Sequence, residues 1–471
     1  MATYNPDNEY RCTIIRGKSQ TDMEDLLPSY VNMVSQICPC TKAEFDVRAN
    51  HIMAKVLFKT SAFEELGANN RKTVRNHITE IAGTLLGLYY IEYDNTVSQE
   101  IVYETETCHL LNEKMDTTLF FKNLCLNFQF PNGEKKVDKL YEDFVHSICL
   151  KPFCFVISML NEAEKQEVVL SKQEIGFYAL NNLDVLQGNV SAKAVVDRIV
   201  LDREKHIKRD PLSGSHSWQH IKEQFNLLEL TNLIEMDATR IWLNPAEKQT
   251  IDIFISKEKD FLLPPNKVQF EDAGQLKSFT QKWRQLKGLF SEELRSIKSI
   301  FPHAQTSVSI QTNASAIKSS IDLGDEGEAL VFKIEQERIR SYKPRLANKV
   351  LLLGKTKGLG YDICSIEGDE NTSNPEFARY IEVKSTRRIT EPRFDQNWSD
   401  SLNLTSKEWI AAQQYGEYYN IYRVYFTKHK VIVVRVQNPF LLSKNNEIEV
   451  YPTTYQMNFD ASVIEKRYEQ G

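Results

Sequence analysis

The chain lacks any long hydrophobic run. No apolar stretch approaches the ~18 residues that span a bilayer, so no membrane-crossing helix is expected. The opening Met-Ala-Thr-Tyr-Asn-Pro-Asp has neither a basic n-region nor an apolar h-region, so secretion is not expected. Cysteine is sparse: eight residues are scattered among apolar and aromatic neighbours, as around Cys125, Cys149 and Cys154. That distribution points to reduced thiols and a cytoplasmic protein. Cys38-Pro39-Cys40 is the one close pair, and with no second pair it completes no zinc site. Positive charge is not in excess, the formal net charge being −6. A global nucleic-acid-binding field is therefore absent, although a local basic cleft is still compatible with DNA.

Two motifs are also incomplete. His216 and His220 could share a helix face, but no glutamate lies between them as in H-E-x-x-H, which leaves packing or capping. Gly354-Lys355-Thr356 resembles the end of a phosphate-binding loop, yet Lys349 stands where its first glycine belongs. No nucleotide-hydrolysing motor is visible, so any such requirement would fall to a partner subunit.

What is present suggests several domains in 471 residues. Over 1–115, a short strand at Cys12-Thr13-Ile14-Ile15 precedes a helix through Met23, Leu27, Tyr30 and Val34. Arg71, Lys72 and Arg75 then lead into an amphipathic helix with Val74, Ile78, Ile81 and Leu85 on one face. Two strand-like runs follow, Leu88 to Tyr93 and Glu100 to Glu104, around a polar turn. A basic helix followed by a hairpin predicts a winged-helix-like unit that reads duplex DNA.

The pattern returns within 116–265. His77-Ile78-Thr79-Glu80 and His220-Ile221-Lys222-Glu223 each lead to Leu-Leu and then Ile-Glu, so a duplicated unit is expected. Arg203, Lys205, Lys208, Arg209 and Lys222 are candidate phosphate contacts for the second copy. Between the copies, Thr117 to Phe128 and Leu140 to Ser158 read as core helix. Residues 266–320 read as a connecting helix from Gln269 to Phe301 and a polar linker from His303 to Ser320.

The last unit, 321–471, carries the chemistry. Asp362 stands twenty positions before Glu382 in Tyr380-Ile381-Glu382-Val383-Lys384-Ser385-Thr386. Strand alternation puts Glu382 and Lys384 on one face, with Ile381 and Val383 on the other. Two carboxylates on adjacent strands can hold a hard divalent cation, and a neighbouring lysine can orient or deprotonate water and offset phosphate charge. Thr405 and Glu408 predict a capping box at the start of the next helix. The element order α-β-β-β-α-β-β contains the αβββαβ core of restriction-endonuclease-like folds. The expected class is thus mixed α/β, with a helical N-terminal half.

Gly324-x-x-Gly327-Glu328, Gly360-Tyr361-Asp362-Ile363, Ile381-Glu382-Val383-Lys384-Ser385-Thr386, Leu404-Thr405-x-x-Glu408-Trp409 and Tyr422-Arg423-Val424 occur in that order. Together, over about 321–440, they resemble the C-terminal domain named after the plant NO VEIN protein. That domain is similar to the PD-(D/E)xK nucleases and often sits in restriction and defence proteins. The resemblance implies Asp362 and Glu382 as ligands of Mg²⁺, with Mn²⁺ able to substitute. It also implies Lys384 as the catalytic lysine and Glu328 as a further, helix-borne acid. Asp362 follows Tyr361 rather than the proline of the superfamily's name. Gln414-x-x-x-Tyr418 matches an accessory Gln-x₃-Tyr of some such nucleases.

The expected function is a Mg²⁺-dependent, type II-like DNA endonuclease of restriction or phage defence. Its partners would be double-stranded DNA, a second copy of the chain at least on DNA, and defence-system subunits. The alternatives are a DNA-binding adaptor with an inactive nuclease-like domain, and a nuclease directed at RNA.

Overall fold

Two stretches of helix run into hairpins, and each hairpin recruits a short third strand. This is seen in a computed structural model that describes residues 4–12, 19–60, 62–134, 136–209, 215–297, 323–356, 358–368, 377–395 and 398–451, with backbone alone at 215–217. Residues 13–15 of the expected first strand, the 303–320 linker and the His216 side chain lie outside the described residues.

In the first stretch, α1 (Gln20–Ile37) begins where the Ser19 hydroxyl accepts the Asp22 N–H. β1 (Cys40–Thr41), α2 (Lys42–Phe58), α3 (Ala68–Asn76) and a π-helical segment, His77–Leu85, follow. The hairpin of β2 (Tyr89–Asp94) and β3 (Gln99–Glu104) pairs Ile91 with Val102, and β1 adds on the far side of β3 to give the order β1-β3-β2. The predicted apolar face is real: Val74, Ile78, Ile81 and Leu85 are all buried.

The second stretch repeats the strand order. β4 (Leu170–Ser171), β5 (Ile234–Met236) and β6 (Arg240–Leu243) form a sheet ordered β4-β6-β5, with β5 and β6 making the hairpin after another long helix. The third strand adds in the same way in both places.

Between and after the hairpins the chain is helical: α4 (Glu106–Lys114), α5 (Thr117–Asn127), α6 (Val137–Val145), α7 (Pro152–Lys165), α8 (Lys172–Ile175), α9 (Leu183–Leu186), α10 (Ala192–Glu204), α11 (Ser215–Glu229), α12 (Lys248–Ser256) and α13 (Ala273–Lys287). The apolar stretch from Leu140 to Ser158 is broken, because Ser147 adopts φ 54° and Pro152 opens α7 at a first-turn position. The connecting helix is shorter than its pattern suggested. After Lys287 the backbone N–H groups of Phe290 and Ser291 go to Glu106 and Asn123, both at 2.9 Å, which turns the chain back onto α4 and α5.

The C-terminal unit contains α14 (Leu323–Tyr342), β7 (Leu351–Leu352), β8 (Ile363–Ile366), β9 (Ala378–Arg387), α15 (Ser406–Tyr415), β10 (Tyr419–Phe426), β11 (Val431–Gln437) and α16 (Pro439–Lys444). Its sheet order is β11-β10-β9-β8-β7. Only β9 and β10 run parallel, as they must when α15 makes the crossover. One face packs Ile363, Ile381, Val383 and Val424 against Leu330 and Val331 of α14. The other packs Tyr419 and Ile421 against Ala411 and Ala412 of α15.

The central strand β9 runs on into the N-terminal half. The Thr386 hydroxyl donates to the Met115 carbonyl at 2.7 Å, and Arg387 pairs with Asp116 at 2.8 Å. Beyond it, Glu24 of α1 accepts the N–H groups of Ile389 and Thr390 at 2.7 and 2.8 Å, while Arg388 pairs with Asp25 at 2.7 Å. The strand bearing Glu382 and Lys384 is therefore anchored at its far end by α1 and by the α4–α5 junction.

Candidate active site

Register brings the two carboxylates together. β8 and β9 pair antiparallel up to Ile363 opposite Ile381, and Asp362, in the bend just before β8, donates its N–H to the Ile381 carbonyl at 2.9 Å, which brings its carboxyl beside that of Glu382. The Asp362 carboxylate also accepts the Val383 N–H at 2.8 Å, which fixes its rotamer against β9. Glu382 is buried, as one strand position in two should be when a helix covers that face. Its Oε1 lies 2.8 Å from Lys384 Nζ, two residues on.

Electrostatics mark the cluster as short of positive charge. Burial pushes Glu382 up to about 9, with Asp362 and Glu408 adding to the shift and Lys384 opposing it. Asp362 is also raised, first by burial, against the Val383 N–H and Lys384. Glu328 is raised to about 7 by burial and by Asp362 and Asp325. Burial alone would lower Lys384, but Glu382 and Glu408 hold it above the ordinary lysine range, so it is an ammonium at neutral pH.

Two glycines make this arrangement possible. A Cβ on Gly354 would lie 2.0 Å from Glu328 Oε2, so Gly354 leaves room for that carboxylate to reach over from α14. The glycine of the false phosphate loop thus serves the acidic cluster. Gly360 has φ +76°, and a Cβ there would meet the Lys407 carbonyl oxygen at 2.5 Å. Its own carbonyl accepts the Tyr419 hydroxyl at 2.9 Å, which ties the turn before Asp362 to β10.

The fit to Mg²⁺ can be judged from the donors. Asp362 and Glu382 offer hard oxygen ligands from adjacent strands. Among the described residues no three His, Cys, Asp or Glu side chains converge as a complete metal cage. Two carboxylates with the remaining positions left to water and phosphate is how Mg²⁺ is commonly held at phosphoryl-transfer sites. The residues present fit that ion.

Two features were not recognised in the sequence as parts of the site. Glu408, anticipated only as a helix cap, places Oε2 2.9 Å from Lys384 Nζ. Behind the lysine, buried Arg423 pairs with Asp400 at 2.7 Å and reaches the Lys384 carbonyl at 3.4 Å; Asp400 also accepts the Tyr425 hydroxyl at 2.7 Å. The motif Tyr422-Arg423-Val424 was the available signal for Arg423. Gln414 is exposed on α15, and no described hydrogen bond brings it to the cluster.

The candidate DNA-facing residues divide into two groups. Lys72, Arg75, Lys205, Lys208 and Lys222 are exposed and Arg71 is half-buried. Arg203 is engaged by both oxygens of Glu174 at 2.7 Å, and Arg209 by Asp202 and Asp7 at 2.8 Å. Both ion pairs tie the end of α10 to other parts of the chain, and the Arg203 side chain is still 43% exposed.

The family described as "Restriction endonuclease BpuJI - N terminal" matches residues 4–284. The chain belongs to that family. A second family, "Protein NO VEIN, C-terminal", matches residues 327–436, the stretch that holds Glu328, Asp362, Glu382, Lys384 and Glu408. Among solved structures, the chain is 36% identical to the BpuJ1 endonuclease binding domain in a crystal structure with pyrene- and phenanthrene-modified DNA, covering 61% of this chain and 100% of that one at a TM-score of 0.55. No curated protein matches the chain. Among the described residues no helix is long and apolar enough to cross a membrane.

Proposed function

We propose that this chain is a Mg²⁺-dependent DNA endonuclease of the restriction type, with residues 4–284 binding duplex DNA and the C-terminal unit cutting it. The observation that carries the reading is Asp362 beside Glu382 with the Lys384 ammonium 2.8 Å from Glu382, in a chain whose other half belongs to a restriction-endonuclease family. The two helix–hairpin units read as winged helices, and the DNA in the solved relative supports DNA as their target.

Asp362 and Glu382 would hold Mg²⁺, which when bound supplies Lewis-acid stabilisation of the charge that develops at the phosphate. Lys384, held as a cation, donates hydrogen bonds to the attacking water or to a non-bridging phosphate oxygen and so orients one against the other. The pairing of Arg423 with Asp400, together with the contact to the Lys384 carbonyl, stiffens the strand beneath the lysine. Among the described residues each chain carries one such cluster, so cutting both strands calls for two copies on the DNA.

The test is incubation of the full chain with modified and unmodified genomic DNA and Mg²⁺ or Mn²⁺, mapping the ends produced. Ends recurring at fixed distances from a short sequence support the proposal. Tight DNA binding with no new ends under either metal would favour the adaptor reading, and cleavage confined to RNA would favour the RNA-directed one.

A further inference from the structure

Lys384 is gripped from two elements. Glu382 Oε1, on its own strand, lies 2.8 Å from Nζ, and Glu408 Oε2, on α15, lies 2.9 Å away. The same Glu408 oxygen accepts the Thr405 N–H at 2.9 Å, while the Thr405 hydroxyl accepts the Glu408 N–H at 3.3 Å. The capping box therefore does more than start a helix. It locks the rotamer of a glutamate whose cap-bound oxygen also meets the lysine. The start of α15 is itself held close to the sheet, because Gly360 allows the Lys407 carbonyl to approach where any Cβ would collide.

We infer that Glu408 is the positioning residue for Lys384, an inference that rests on the nuclease reading above. A lysine side chain is long and rotamer-rich, and a reactive geometry needs it confined. Glu382 cannot serve alone, because its oxygens are the ones required for the metal. Glu408 sits on a different element, is tied down by the helix start, and can keep the ammonium in place when Glu382 turns to another partner. The helix after the catalytic strand thus acts as a second wall of the site.

The cap and the charge can be separated. Glutamine also completes a capping box, so Glu408→Gln keeps α15 and removes the anionic partner of Lys384. Thr405→Ala weakens the cap and leaves the Glu408 carboxylate in place. Under saturating Mg²⁺ and DNA, Glu408→Gln should lower kcat by about 10- to 100-fold with DNA affinity and KM within threefold, since misplacement of a reacting group acts on the chemical step. Thr405→Ala should stay within threefold of wild type. Wild-type cleavage by Glu408→Gln, or an equal loss in both variants, overturns the inference. Wild-type cleavage by Lys384→Ala overturns the nuclease reading instead.

A second measurement does not depend on cleavage. In the full chain, without metal or DNA, acetic anhydride labelling of Lys384 followed by mass spectrometry should be severalfold faster in Glu408→Gln than in wild type, with the exposed lysines 72, 205 and 222 unchanged. An unaltered Lys384 rate contradicts the positioning role whether or not the chain cuts DNA.

Discussion

Glu24 accepts the backbone N–H of Ile389 at 2.7 Å, joining a buried residue of the first helix to the continuation of the strand that bears Lys384. The Thr390 N–H and hydroxyl bind the other oxygen of the same carboxylate, at 2.8 and 2.7 Å. Removing Glu24 would strand these donors in a dry interface, and each unsatisfied buried group costs about 1–3 kcal/mol. Glu24→Ala should therefore lose about 2–4 kcal/mol of stability, read as a lower urea midpoint of the full chain. A midpoint equal to wild type would show that the anchoring is dispensable.

The two glycines beside the site should respond differently to alanine. At Gly360 the new Cβ meets a backbone carbonyl at 2.5 Å in a left-handed conformation, so Gly360→Ala should destabilise the fold by about 2–3 kcal/mol. At Gly354 the obstacle is the end of the Glu328 side chain, 2.0 Å away, which can swing aside. Gly354→Ala should keep most of its stability and match Glu328→Ala in cleavage. Equal melting losses at both positions would contradict this distinction.

The raised carboxyls set a pH dependence. Glu382 is pushed to about 9 and Glu328 to about 7, both by burial first and then by neighbouring carboxylates, and both above their unfolded value of roughly 4.3. The folded chain keeps protons that the unfolded chain releases. Their contribution is full below the unfolded value and is lost as pH rises through about 7 for Glu328 and about 9 for Glu382. Without metal, the melting temperature should fall from about pH 6 to about pH 9, and Glu382→Gln should flatten that fall. Mg²⁺ needs the charged carboxylates, so its stabilisation should grow over the same range, reaching ~2.7 kcal/mol at a hundred times Kd. Parallel pH curves for wild type and Glu382→Gln would contradict the assignment.

Basic residues in the N-terminal half should separate by role. Lys222 is exposed on α11, so Lys222→Ala should weaken DNA binding without changing sequence preference and reduce the salt slope by about 0.9. Arg203 is held bidentately by Glu174, so Arg203→Ala should act through the packing of α10 rather than through salt dependence. A steeper loss of salt slope at Arg203 than at Lys222 would reverse these roles.

Much of the site was readable because strand alternation is rigid: once Glu382 and Lys384 share a face, only the partner strand's register remains to be found. The helix–hairpin repeat was also visible, since apolar spacing and a polar turn are local signals. Glu408's second role was not, because its contact with Lys384 depends on how α15 crosses the sheet. The ion pairs of Arg203 and Arg209 were hidden for a similar reason: Glu174 and Asp7, which help to engage them, are far away in sequence. The early end of α13 follows from tertiary bonds to Glu106 and Asn123 that no local pattern encodes.

The most direct test compares wild type with Glu382→Ala and Lys384→Ala on one duplex, measuring Mg²⁺-dependent strand cleavage and DNA affinity side by side. The account predicts cleavage by wild type, a loss of at least a hundredfold in both variants, and DNA affinity within about threefold throughout. Undiminished cleavage by either variant would contradict it.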